Sequence, residues 1–200
     1  SDLTIFSFHP VKHLAGGEGG LITTNDEQLY KRIKKLRTHG ITKDSSEFIN
    51  STDSAIFSKD INEITYPNWY MEMQELGYNY RISDIHSALI LSQLLKADIK
   101  LKQRKKIAKK YYDAFNLIPE IIGQSGIIKG HAYHLYVIEA KNRYQLYNFL
   151  RENGIYAQIH YYPCHLMPFY RKLGWGEGDL PFVEKYYENC ISLPMFPELT

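Results

Sequence analysis

Leu3-Thr4-Ile5-Phe6-Ser7-Phe8-His9-Pro10-Val11-Lys12, with Gly16-Gly17-Glu18-Gly19-Gly20 close behind, sets an apolar run against a loop rich in glycine. Residues 3–8 read as a buried strand with nothing before it to pair with. Residues 9–20 form the loop, and Leu21-Ile22-Thr23-Thr24 reads as a short strand after it. Strand ends in α/β sheets are where ligands are held. A lysine there is nearly buried, and burial disfavours its charge. A neutral amine can attack an aldehyde and form a Schiff base. Ser7, at the same strand end, can donate a hydroxyl hydrogen bond to a phosphate. Glycines let the backbone pass close to a planar ring without a side-chain clash. Taken by spacing alone, the pattern leaves open a surface lysine in a flexible turn.

Downstream, Asn25 or Asp26 caps a helix whose Leu29, Ile33 and Leu36 recur at helical spacing. Arg37 lies in its last turn, and Gly40 is the expected stop. Residues 41–75 are polar and lack periodicity, which predicts an exposed excursion. Ser83 or Asp84 caps a second helix through Ile85, Ala88, Leu89 and Leu95. A basic helix is expected over 100–115. Its Lys102, Arg104, Lys105, Lys106, Lys109 and Lys110 read as a solvated face, with a binding patch as the alternative. Residues 133–138 read as a strand, Asn142 caps a helix ended by Asn153-Gly154, and residues 155–159 read as another strand. Short helices are expected at 169–173 and 180–189, and the apolar residues 193–197 read as hanging without a closing helix. Both ends look cut from a larger chain. The pattern predicts two units, residues 1–98 as the tail of an α/β domain and residues 99–200 as a smaller α+β domain.

Composition narrows the class. The chain has 200 residues, 44% hydrophobic and 23% charged, the balance of a globular protein. A net charge of +2 gives no field that argues for nucleic acid or an anionic membrane as partner. No apolar run is long enough to span a bilayer and no signal peptide is visible. Cys164 and Cys190 match no metal or redox spacing, so a cytoplasmic setting is expected. Seventeen tyrosines suit sugar sites and wet interfaces, with half-buried packing as the plainer alternative. His160, Cys164 and His165 could be read as metal ligands, but no second cluster completes a tetrahedral site, so no metal is expected.

Phe6-Ser7-Phe8-His9-x-x-Lys12 with Gly17-Glu18-Gly19-Gly20 resembles the lysine loop of the DegT/DnrJ/EryC1/StrS family of sugar aminotransferases. Leu36-Arg37-x-His39-Gly40 resembles the helix end that follows that loop. Gly77-Tyr78-Asn79-Tyr80-Arg81-Ile82-Ser83-Asp84 resembles the loop that crosses to the partner subunit. Tyr133-His134-Leu135, His160-Tyr161-x-Pro163 and Leu193-Pro194 resemble the small domain. The motifs stand in family order across almost the whole chain.

The resemblance implies the pyridoxal-phosphate fold type I: the end of a large mixed-sheet domain followed by a smaller α+β domain. It implies pyridoxal 5'-phosphate on Lys12, with Ser7 on its phosphate. Asn79 would reach the phosphate of the neighbouring subunit's cofactor, making a homodimer with shared sites. Arg81 and His160 would line the nucleotide-sugar pocket. Read by themselves, Asn79 could hold a turn, Arg81 could make a structural ion pair, and His134 could be a satisfied core histidine. The expected reaction moves an amino group, from glutamate as the expected donor, to the C4 keto group of a UDP-linked 4-keto-6-deoxy sugar. Residues 155–161 and 76–81 look like the enzymes that make 4-amino sugars for pseudaminic acid. The alternatives are another nucleotide sugar, or a non-catalytic assembly domain. Family members are longer, and their upstream part supplies the acid for the ring nitrogen and the stacking aromatic ring. These 200 residues alone are therefore expected to be inactive.

Overall fold

The computed structural model describes residues 1–56 and 65–199, and these divide into two compact units, Ser1–Leu94 and Leu95–Thr200. In the first, strand β1 (Thr4–Ser7) pairs antiparallel with β2 (Gly20–Thr23), with Ser7 opposite Gly20. The expectation of a buried strand fails within this chain: all eight residues of the pair are exposed. Two strands alone present both faces to solvent. Helix α1 (Glu27–Leu36) follows, capped by Asp26, whose carboxylate accepts from the backbone N–H of Gln28 and Leu29. Arg37 is its C-cap, and Gly40 turns away at φ +69°.

The excursion predicted to be exposed is pinned at both ends. Strand β3 (Ile41–Thr42) pairs with β4 (Glu72–Met73), and a short 3-10 turn and helix α2 (Thr52–Ile56) lie between them. Residues 57–64 of that stretch lie outside the described residues. Glu72 is buried and accepts from the N–H groups of Ile49 and Asn50 at 2.8 and 2.9 Å. It also accepts from the Tyr70 hydroxyl and the Gln74 amide, both at 3.0 Å. The rings of Phe48, Tyr66 and Tyr70 pack on one another with centroids 4.7–5.7 Å apart. Polar composition hid this because the tie is one buried acid and three rings, not a periodic apolar face. Helix α3 (Asp84–Leu94) closes the unit, with Ser83 accepting from the His86 N–H.

The second unit is a three-stranded antiparallel sheet in the order β5 (Ile121–Gln124), β6 (Tyr136–Ala140), β7 (Cys190–Leu193). Helix α4 (Ala97–Phe115) precedes it; α5 (Arg143–Glu152), α6 (Pro168–Arg171) and α7 (Pro181–Asn189) follow β6. Ala108, Tyr133, Tyr136, Ile138, Ala157, Ile191 and Leu193 form the core, with Tyr111, Phe115, Leu146 and Leu150 packed against it. Strands β5 and β7 were not foreseen; each has only four residues.

Four expectations are corrected here. Arg104 is not on a solvated face: it is buried, and Nη1 donates to the carbonyls of Tyr133 at 3.0 Å and Met195 at 2.9 Å. It lies four residues before Ala108, on the stripe that continues through Tyr111 and Phe115. Residues 193–197 do not hang free. Leu193 is in β7, the Pro194 carbonyl accepts from the Tyr111 hydroxyl at 2.9 Å, and Met195 packs on the core. Residues 155–159 do not make a strand: the Ala157 N–H turns back to the Ile155 carbonyl, and only Gln158 bridges to Ser192. The strand foreseen at 133 starts at Tyr136, because Tyr133 sits at φ +50° with its hydroxyl bonded into the preceding loop.

Candidate active site

The ladder between β1 and β2 closes with the Phe8 N–H on the Gly19 carbonyl at 2.9 Å, and buried Phe8 anchors the loop that follows. A tight turn sets the Lys12 N–H on the His9 carbonyl at 2.9 Å, and the Gly16 N–H returns to the Phe8 carbonyl at 2.8 Å. The Ser7 hydroxyl oxygen accepts from the His9 N–H at 3.5 Å, a long bond that leaves its hydrogen available. The loop rests on α3. A Cβ at Gly16 would come within 2.5 Å of Ile90 Cγ1, so only glycine lets backbone and helix meet there. That glycine serves loop-to-helix packing in this chain.

Lys12 is half-buried, and its ammonium has no hydrogen bond or ion pair among the described residues. An amine so placed can take an electrophilic carbon without breaking a salt bridge. With the Ser7 hydroxyl at the end of the same strand, the loop offers one nucleophile and one phosphate donor. This donor set fits a phosphorylated aldehyde.

A second loop is tied to the end of α1. Thr38 bridges Asn79, the His39 N–H donates to the Tyr78 carbonyl, and the Tyr80 N–H donates to the Arg37 carbonyl, each at 2.9 Å. Gly40 and Gly77 meet backbone to backbone: a Cβ at Gly40 would overlap the Glu75 carbonyl oxygen. The motifs Arg37-x-His39-Gly40 and Gly77-Tyr78-Asn79 are thus two sides of one joint. Asn79 and Arg81 project from it exposed, and neither side chain has a protein partner among the described residues. The structural ion pair considered for Arg81 is absent among those residues.

His160 belongs to the second unit. Its Nδ1 lies 2.9 Å from the Ser192 hydroxyl, its ring meets Tyr161 edge-on at 4.6 Å, and burial pushes its pKa down. His165, weighed above as a metal ligand, instead has Nε2 on Glu184 at 2.8 Å. That bond, aided by the Gly178 N–H, holds the Glu184 carboxyl below the ordinary carboxylate range. Ser192 and Glu72 were not singled out by sequence reasoning. Each is an isolated polar residue in an apolar or unpatterned run, and spacing carries no sign of a partner far along the chain.

Comparison with known proteins fits this geometry. The model of the DegT/DnrJ/EryC1/StrS aminotransferase family matches residues 1–200. An uncharacterised protein of Methanocaldococcus jannaschii is 37% identical over 209 residues, covering all of this chain and 50% of that one. A UDP-4-amino-4,6-dideoxy-N-acetyl-beta-L-altrosamine transaminase of Campylobacter jejuni is 35% identical, covering all of this chain and 48% of that one. Helicobacter pylori PseC, an aminotransferase involved in the biosynthesis of pseudoaminic acid, superposes with a TM-score of 0.82 at 28% identity, over all of this chain and 49% of that structure. The chain spans about half the length of the relatives it matches. The expected fold class holds: a mixed α/β chain corresponding to about half of a sugar aminotransferase.

Proposed function

The chain belongs to the DegT/DnrJ/EryC1/StrS aminotransferase family, and from that membership we propose that it serves a pyridoxal-phosphate-dependent transfer of an amino group to a nucleotide-linked keto-sugar. The observation that carries the reading is the half-buried Lys12, free of any ion pair among the described residues, at the turn after β1. Pyridoxal phosphate supplies an aldehyde for that amine and a ring that takes up the electron pair of a broken C–H bond. The Ser7 hydroxyl donates to a phosphate oxygen, and Asn79 of a second copy donates to the same phosphate. Lys12 Nζ would take the α-proton of the donor amino acid and deliver it to the cofactor, and would run the same transfer in reverse toward the sugar carbon. Arg81 and His160 bind the nucleotide-sugar. The acid for the ring nitrogen is supplied from outside these residues, so the 200-residue chain by itself turns over poorly or not at all.

The C. jejuni relative, a transaminase named for a UDP-linked 4-amino-4,6-dideoxy sugar, supports a UDP-linked 4-keto-6-deoxy sugar as the substrate, with glutamate as the donor we propose. The protein acts as a homodimer. No described helix is long and apolar enough to cross a membrane, and Cys164 and Cys190 are unpaired, which suits the cytoplasm. The test is borohydride reduction of the protein with pyridoxal phosphate, followed by peptide mapping. The expected adduct sits on Lys12 and disappears in Lys12→Ala. An adduct spread over surface lysines, or none, sinks the reading. Assaying UDP- against dTDP-keto-sugars then assigns the nucleotide.

A further inference from the structure

We propose that Ser192 is a positioning residue that fixes the tautomer of His160, so that Nε2 presents an N–H donor to an acceptor oxygen of the nucleotide-linked sugar. The inference rests on the assignment of His160 to that substrate.

The backbone sets the pair first. Gln158 and Ser192 exchange hydrogen bonds both ways, at 3.0 and 2.7 Å, so the segment before His160 is registered against β7. Alternation along a strand then fixes the direction of the Ser192 side chain. His160 Nδ1 meets its Oγ at 2.9 Å. The ring also meets Tyr161 edge-on, with centroids 4.6 Å apart.

The proton follows from burial. Ser192 is 4% exposed, and its hydroxyl has no other partner among the described residues. A buried hydroxyl hydrogen left without an acceptor is costly, so it points at the one acceptor in reach. Nδ1 must then carry the lone pair, and a neutral imidazole carries its hydrogen on Nε2. Burial opposes the charged form of the ring and so favours the neutral one. Nε2 has no protein partner among the described residues, so its hydrogen is available to a ligand. The site therefore offers an uncharged, directional donor. Such a group distinguishes an acceptor oxygen at one position of a sugar more than it adds charge attraction to a diphosphate.

Two readouts test this. Long-range proton–nitrogen spectra of the protein labelled with heavy nitrogen at histidine, recorded above neutral pH, report the tautomer; His160→Asn identifies the signals. The expected spectrum shows His160 with hydrogen on Nε2 alone, and a mixture of both forms in Ser192→Ala. Hydrogen on Nδ1 in the parent protein, or no change in Ser192→Ala, overturns the proposal. In kinetics with the cofactor-loaded protein, Ser192→Ala should raise KM for the keto-sugar about fivefold, the worth of one neutral hydrogen bond, with little change in kcat. Ser192→Thr, which keeps the hydroxyl, should restore it, and the effect should vanish when His160 is already Asn. A Ser192→Ala effect that persists without His160 also overturns the proposal. If His160→Asn leaves KM unchanged, the assignment of His160 to the sugar fails, while the spectrum still decides the role of Ser192.

Discussion

Lys12 and Arg104 show how differently two cations are treated in one chain. Lys12 is left without a partner among the described residues, which leaves its amine available for chemistry. Arg104 is enclosed, with Nη1 on the backbone carbonyls that end the Tyr133 loop and the Met195 tail. Burial pushes its pKa down, but a guanidinium keeps its charge there. Replacing it by methionine keeps much of the stem's packing and removes the donors. Those carbonyls would then be buried with nothing to accept, and Arg104→Met is expected to cost roughly 3 kcal/mol. Urea unfolding checks this; a cost within a few tenths of a kcal/mol would show that the carbonyls find water instead.

Two pairs of elements depend on single positions. The joint between the end of α1 and the loop bearing Asn79 depends on Gly40, which sits at φ +69° against the Glu75 carbonyl. Gly40→Ala must strain the backbone and push that carbonyl away, so a loss above about 1 kcal/mol is expected. Its thermal midpoint should fall accordingly. The β3–β4 excursion depends on Glu72. Burial by itself would raise its pKa, but the hydrogen bonds from Ile49, Gln74, Asn50 and Tyr70 outweigh that and hold it down to about 2, against an ordinary 4.5. A carboxyl depressed in the folded state stabilises fully above pH 4.5 and loses that contribution as pH falls toward 2. The acid limb of tyrosine fluorescence should therefore be shallower between those values in Glu72→Gln than in the parent protein. Equal limbs would mean that the excursion opens before Glu72 titrates.

The shared-site reading is a claim about the assembled molecule. If Asn79 serves the neighbouring subunit's cofactor, Lys12→Ala and Asn79→Ala chains complement each other. A mixed dimer places both defects in one site and leaves the other intact. Random mixing makes half the dimers mixed, so about a quarter of the parental activity should return when the two inactive variants are combined. No recovery would place Asn79 beside Lys12 of its own chain. The complementation needs the complete protein, because this chain spans about half of the relatives it matches.

The helices were legible wherever a cap and a 3.6-residue apolar rhythm coincided, as with Asp26 before Leu29, Ile33 and Leu36. The lysine loop was legible as a motif, since a strand, Ser7, Lys12 and a glycine cluster stand within a short span. The partners of Arg104, Glu72 and His160 were not. Each is met by at least one group 22 to 91 residues away. Local composition governs which dihedrals a segment prefers. Which buried charge or hydroxyl meets which carbonyl is settled only when distant segments pack and desolvate one another.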